Sequence, residues 1–240
     1  MKTKMLVNLY KQILVLCFIF NTSFVWTQIE KINQFDSNGN RHGLWKGVYE
    51  KSNRIRYEGR FEHGKETGVF KYFDDTKKGD IIGTRDFSKG DGSCYVTFFL
   101  QNGNKVSEGT IDKNKQNQGQ WTYYHKNSKQ PMSVENYLNG KLNGKTIVFF
   151  PDGKVASETY YKNGVKEGVS KRYSKKGVVL EEIPYKNNTF DGWVTYRNPK
   201  GQLIAQGMYE KGLKKGIWKF YENGKLTKEV DTDKKDTKTK

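Results

Sequence analysis

Residues 144–168 read Gly-Lys-Thr-Ile-Val-Phe-Phe-Pro-Asp-Gly-Lys-Val-Ala-Ser-Glu-Thr-Tyr-Tyr-Lys-Asn-Gly-Val-Lys-Glu-Gly. The β-branched and aromatic run 146–150 has strand composition. Asp152-Gly153 is a two-residue hairpin signal of type I′, whose two central positions both need positive φ. Val155–Lys162 returns as a second strand, and Asn163-Gly164 opens a second turn that leads to Gly168. The stretch predicts one β-hairpin that feeds directly into the next.

The same unit recurs along the chain. Its anchors are Gly43, Gly68, Cys94, Gly119, Gly144, Gly168, Gly192 and Gly216, always 24 to 26 residues apart. A fixed period in this range marks a repeat array, in which a unit that cannot bury its own face buries it against its neighbours. The expected fold is therefore all-β, an elongated antiparallel sheet of about eight stacked hairpins. Sixteen strands at about 4.8 Å spacing predict a ribbon roughly 75 Å long.

First turns recur at Asn102-Gly103, Lys176-Gly177, Lys200-Gly201 and Asn223-Gly224, and second turns at His63-Gly64, Lys89-Gly90, Asn139-Gly140 and Lys211-Gly212. A packing residue follows seven of the eight anchors: Trp45, Phe70, Val96, Trp121, Ile147, Val194 and Trp218. A second row reads Phe73, Phe99, Tyr124, Phe149, Tyr173, Tyr196 and Tyr221. Rows of cross-strand aromatics contribute about 0.2–1 kcal/mol per pair, which lets a chain with 34% hydrophobic residues fold. The best-ordered polar column is Glu58, Glu108, Glu135, Glu158, Glu182 and Glu229, with Gln206 in the remaining slot. Its repetition argues for architecture, pairing with lysines of the adjacent hairpin, because an acid/base pair needs two carboxylates in unlike environments.

The ends differ from the array. Lys2, Lys4 and Lys11 precede the apolar run Ile13–Phe20 and a polar stretch, the layout of a secretory signal peptide over residues 1–28, with an uncleaved anchor as the alternative. Export places the mature protein in the periplasm, at the cell surface or outside the cell. Cys94 is then its one cysteine, so rigidity has to come from the sheet. The array is expected over 29–228, and residues 229–240, rich in Lys, Asp and Thr, read as a frayed tail.

Tyr57-Glu-Gly-Arg-Phe-Glu-His-Gly-Lys-Glu-Thr-Gly68 and Gln206-Gly-Met-Tyr-Glu-Lys-Gly-Leu-Lys-Lys-Gly-Ile-Trp218 resemble the MORN repeat, and the longer spacing resembles its bacterial variant of the YwqK-type, antitoxin-like class. The resemblance implies a sheet used as a scaffold, an interaction surface or a lipid-contacting surface, and it implies no activity. Thr84 and Cys94 depart from its usual Glu and Gly. Choline-binding cell-wall repeats, also stacked hairpins, repeat nearer to 20 residues and lack the regular Glu.

Motifs for chemistry are missing from the sequence. His42, His63 and His125 fall in different repeats without Cys partners, and no Cys-x-x-Cys, His-Glu-x-x-His or Gly-x-Ser-x-Gly occurs. Neither enzyme activity, a metal nor a cofactor is expected. The net charge of +17 points outward. Lys65, Lys89, Lys141, Lys166, Lys214 and Lys215, with Lys113 and Lys115, cluster at second turns and anchors, and a stripe of them would attract an acidic protein, anionic lipid or acidic glycan. The bland alternative is that lysines keep a long sheet soluble. Nucleic acid is disfavoured by export and by burial of the rings it would stack on. The expected role is a protein-interaction or scaffold module at the cell envelope. The alternatives are a neutraliser of a cognate toxin and a module for anionic membrane surfaces.

Overall fold

The computed structural model describes residues 30–234. The repeat array forms one unit from Ile32 onward. The expected export leader lies outside the described residues.

Eight hairpins follow one another: β2 (Arg41–Val48) with β3 (Ile55–Glu62), β4 (Lys65–Phe73) with β5 (Ile81–Asp86), β6 (Cys94–Phe99) with β7 (Lys105–Ile111), and β8 (Asn117–Tyr124) with β9 (Pro131–Leu138). Then come β11 (Gly144–Phe149) with β12 (Val155–Lys162), β14 (Gly168–Tyr173) with β15 (Val179–Lys186), β17 (Gly192–Arg197) with β18 (Leu203–Glu210), and β19 (Leu213–Glu222) with β20 (Lys225–Asp231). The two-residue strands β10 (Lys141–Leu142), β13 (Val165–Lys166) and β16 (Thr189–Phe190) are the leading ends of β11, β14 and β17, and β1 (Gln34–Phe35) precedes the array. Among the described residues every pairing is antiparallel and joins neighbours in the chain, giving one open meander of 20 strands.

The two turn types are distributed differently from the expectation. Asn163-Gly164 and Lys211-Gly212 have both residues at positive φ (50° and 86°, 50° and 85°), as type I′ demands. At 152–153 only Gly153 has positive φ. Its N–H bonds the Phe150 carbonyl at 2.9 Å, closing a turn with Pro151 in the position where a fixed φ near −65° fits. The first turn of this hairpin is thus longer than two residues, and its Gly closes it rather than sharing its centre, whereas Asn223-Gly224 keeps the two-residue turn with both residues at positive φ (50° and 77°). A register shift follows in every hairpin, beside Val48, Phe73, Phe99, Tyr124, Phe149, Tyr173, Arg197 and Tyr221, where the returning strand carries one extra residue, Arg56 in the first hairpin. Arg197, not Tyr196, stands beside the shift in the seventh hairpin.

The anchors Gly43, Gly68, Gly119, Gly144, Gly168, Gly192 and Gly216 all carry positive φ, and Cys94 does not. A longer connection, 87–93, leads into Cys94, which is buried against Val96 and Trp121. In front of three anchors the strand breaks at Asn143, Glu167 and Asp191. These side chains accept the N–H of Asn163 (3.1 Å), Asn187 (3.0 Å) and Lys211 (3.4 Å) in the following second turn, as Gln118 does for Asn139 (3.0 Å). Four repeats therefore clamp the second turn that follows with a side chain.

One face carries the buried ring clusters, whereas Tyr124, Tyr173 and Tyr221, bonded to Glu108, Glu158 and Gln206, lie on the other. Trp45, Phe61 and Phe70 form one buried cluster; Cys94, Val96 and Trp121 form a second; Ile183, Val194 and Trp218 form a third. Phe87 packs on both of the first two and joins them. Between Trp121 and Ile183 the same face turns polar, with Ser133, Glu135, Thr146, Thr159, Ser170 and Arg172 at the corresponding register positions. The packing row expected to continue through Ile147 does not: its register partner is Glu158, on the other face, and Thr146 holds the packing position.

At the first edge, Asn33 imitates a strand. Its side-chain amide donates to the Lys46 carbonyl (3.1 Å) and accepts the Lys46 N–H (2.8 Å). At the other edge the chain does not fray at 229 as expected. Lys219↔Glu229, Trp218↔Val230 and Ile217↔Asp231 pair, and the Thr232 N–H reaches the Gly216 carbonyl at 2.9 Å. Ladder hydrogen bonds to an already ordered β19 and the contact of Val230 with Trp218 supply what its composition lacks.

Candidate interaction surface

The face opposite the rings carries an unbroken row, one residue per strand: Lys46, Glu58, Lys71, Thr84, Thr97, Glu108, Thr122, Val134, Ile147, Glu158, Lys171, Glu182, Thr195, Gln206, Lys219 and Glu229. Glu58, Glu108, Glu158 and Glu182 stand in it, but Glu135 does not. In the fourth hairpin the register puts Val134 in the row and turns Glu135 to the ring face opposite Trp121. There it accepts hydrogen bonds from Tyr137 (2.6 Å) and Ser133 (3.1 Å). Counting Glu along the sequence missed a one-residue offset, which in a strand means the opposite side.

The row neutralises itself. Glu58 lies 3.5 Å from both Lys46 and Lys71, Lys105 meets Glu108 at 2.7 Å, Lys145 meets Glu158 at 2.6 Å, Lys171 meets Glu182 at 3.7 Å, and Lys219 meets Glu229 at 3.3 Å. Two residues along from the row, on the same face, tyrosines bring a hydroxyl to the same carboxylates: Tyr124 donates to Glu108, and Tyr173 to Glu158 at 3.2 Å. Burial and the bond to Glu108 push the Tyr124 hydroxyl up to about 12. Burial alone would raise Glu108, yet Lys105 and Tyr124 outweigh it and hold the carboxyl below its ordinary value. Exposed pairs of this kind contribute about 0–1 kcal/mol each, so the row sets register and solubility more than stability.

Cations on the ring face are arranged differently, apart from Arg172, which pairs with Glu181 opposite it. The Arg41 guanidinium lies 4.7 Å from the Trp45 ring centre and 5.3 Å from that of Phe61, and Arg85 lies 5.3 Å from Tyr72. Arg56 lies 5.7 Å from Tyr57. Lys166 is 4.8 Å from Tyr185, and Lys214 is 4.3 Å from Trp218. Among the described residues none of these five has a carboxylate within ion-pair distance. Cation–π contact holds each in place for about 0.5–1 kcal/mol without cancelling its charge.

The lysines singled out by sequence are divided between these settings. Lys89 is paired with Asp91 (2.6 Å) and Lys215 with Asp233 (3.3 Å). Lys65 and Lys141 stand opposite Glu62 and Leu138. Lys166 and Lys214 join the ring face, opposite Tyr161 and Tyr209. Sequence reading missed Arg41, Arg56 and Arg85 because it followed lysines at turns, whereas these arginines sit in strands beside rings.

The histidines form no metal set. His63 Nδ1 meets Asp36 at 2.7 Å, His42 packs 4.9 Å from the His63 ring, and His125 bonds the Phe149 carbonyl at 3.2 Å. Among the described residues no group of three or more His, Cys, Asp or Glu is placed to hold a metal ion, and no helix is long and apolar enough to cross a membrane. Burial raises the Cys94 thiol above its ordinary value.

No curated protein matches the chain. Among solved structures it is similar to the GtfA/B complex (13% identity, TM-score 0.22, 58% of this chain and 21% of that one) and to an S. aureus TarM mutant in complex with fondaparinux, alpha-GlcNAc-glycerol and UDP (14%, 0.19, 62% and 19%). A protein of unknown function from Bacteroides fragilis is a third (9%, 0.11, 81% and 94%). The chain spans about a fifth of the first two, and TM-scores this low bear on neither fold nor activity. The informative match is local. Residues 142–163, 166–187 and 214–234 fit the family model of the MORN repeat variant, and the unmatched hairpin β17/β18 between the second and third pairs in the same register. Three of the eight hairpins, β11/β12, β14/β15 and β19/β20, thus match the model of the MORN repeat variant.

Proposed function

We propose that this chain is a non-catalytic interaction module that docks an acidic protein partner on its ring face, and that it works at the cell envelope. The supporting observation is the partition of charge. One face spends its lysines on its own glutamates, while the other holds Arg41, Arg56, Arg85, Lys166 and Lys214 on aromatic supports with no acid attached. Cations held in place and left unneutralised raise association rates and select partners of opposite sign. The envelope setting rests on reading residues 1–28 as an export leader.

The test is crosslinking capture of the tagged chain from its native cells, compared between two variants. One carries Arg56→Gln, Arg85→Gln, Lys166→Gln and Lys214→Gln; the other carries Lys145→Gln, Lys171→Gln and Lys219→Gln. The reading expects a stoichiometric protein, retained by the second variant and lost by the first. Equal loss from both would place the contact elsewhere. Anionic vesicles bound in place of any protein, and released by high salt, would make the chain a membrane-surface module. Retention in the cytosol with a toxin as partner would favour the neutraliser.

A further inference from the structure

We infer that a cavity at the N-terminal end of the ring face receives the carboxylates of an acidic peptide segment, a reading that rests on the proposed interaction role and names its chemistry. The cavity measures about 410 Å3 and is lined by Arg41, Arg56, Tyr57, Phe61, Glu66 and Tyr72, with Phe70 as its floor. Its volume lies within the range of small-ligand sites, about 300–1,000 Å3. Arg85 stands at its side, against Tyr72 and opposite Phe70 in the ladder. The Tyr72 hydroxyl is raised above its ordinary value by burial, against the opposing pull of Arg85, so it remains a hydrogen-bond donor at neutral pH.

The ring faces decide between ligand classes. A sugar stacks on an open aromatic face, but here guanidinium groups already lie over the faces of Trp45, Phe61, Tyr57 and Tyr72. What meets the ligand is therefore the N–H fork of each arginine, and that fork matches the two oxygens of a carboxylate. A stacked guanidinium is also pre-oriented, so less side-chain entropy is lost when it is engaged. Glu66, in the same wall, has no cation within ion-pair distance among the described residues and can accept a backbone N–H. Carboxylate and N–H together are what an acidic peptide presents.

The experiment is fluorescence anisotropy with a fluorescein-labelled ten-residue peptide of alternating glutamate and glycine, its glutamine counterpart, and oligogalacturonate as competitor. Circular dichroism melts confirm that each variant is folded. The glutamate peptide should bind and the glutamine peptide should not. Arg56→Gln and Arg85→Gln should each weaken binding about tenfold or more, the scale of a charge-assisted hydrogen bond. Arg56→Lys should recover only part of it, and Lys145→Gln should change nothing. Failure of the glutamate peptide to bind overturns the proposal. So does full rescue by Arg56→Lys, which would mean charge without a fork, and so does oligogalacturonate binding more tightly than the peptide. Loss in Lys166→Gln or Lys214→Gln with Arg56→Gln unaffected would refute the cavity and leave the ring face as the docking face. Peptide binding lost in Arg56→Gln, with capture of the native partner unchanged in every ring-face variant, would uphold the cavity and refute the interaction role.

Discussion

Gly207 lies directly under the indole of Trp218: a Cβ added to Gly207 would come within 2.4 Å of the ring. The same relation holds for Gly109 under Trp121 (2.4 Å) and Gly59 under Phe70 (2.3 Å). In each case the glycine follows the Glu or Gln of the self-neutralising row, so Glu-Gly is one device. The first residue sets the charge ladder on one face, and the second clears room for a ring on the other. Gly207→Ala should destabilise the protein by about 1–3 kcal/mol, the usual cost of overpacking a filled core. Gly216→Ala meets nothing within 4 Å, so its cost is the strain of a positive φ alone, about 1 kcal/mol. Urea titration of both variants checks this; equal losses would mean that the indole moves aside.

Thr146 presents the opposite case. Its Oγ1 is buried with no hydrogen-bond partner among the described residues, at the packing position where most other repeats hold Trp, Phe or Val. Thr146→Val removes the unsatisfied hydroxyl and should raise stability by about 1 kcal/mol, seen as a higher melting temperature. A lower one would mean that the hydroxyl is bonded in solution.

The repeat period, the hairpins and the identity of the ring residues were legible in the sequence because each rests on local spacing. What was not legible depends on register. Glu135 and Ile147 look like members of their columns and stand on the wrong faces for them, since a one-residue offset reverses a strand's sides. Tyr196 and Arg197 exchange roles at a bulge for the same reason. Lys166 and Lys214 were found at their turns, but Arg41, Arg56 and Arg85 become a group only when three separate strands are laid side by side.

The polar interval on the ring face predicts uneven stability. Two apolar assemblies, Trp45 to Trp121 and Ile183 to Trp218, are joined through strands whose ring-face positions are Ser133, Thr146, Thr159 and Ser170. Local opening is easiest where few apolar contacts are lost. Amides of β11 and β12 should therefore exchange hydrogen faster than those of β6 and β17. Trp218→Ala should cost about 3–5 kcal/mol in the C-terminal assembly and leave exchange in β6 unchanged. Uniform loss of protection across all strands would show a single cooperative unit.

Asp36 governs the acid response of the first edge. It accepts hydrogen bonds from His63 and from the N–H groups of Asn40 (2.8 Å) and Asn38 (2.9 Å), and these hold its pKa at about 2, below the ordinary 3.8. A carboxyl depressed in the folded state stabilises fully above its unfolded value and loses that contribution as pH falls through the folded one. The loop 36–40, and with it the pairing of β1 to β2, should therefore loosen between about pH 4 and pH 2. Phe35 stands 5.0 Å from Trp45, whose indole N–H donates to the Gln34 carbonyl at 3.0 Å, so loosening exposes that indole. Trp45 fluorescence, isolated by replacing the other tryptophans with phenylalanine, should shift to the red across this window. Asp36→Asn should remove the pH dependence, because the amide keeps an acceptor oxygen but has no charge to lose. A red shift that persists in Asp36→Asn would assign the transition to another carboxylate.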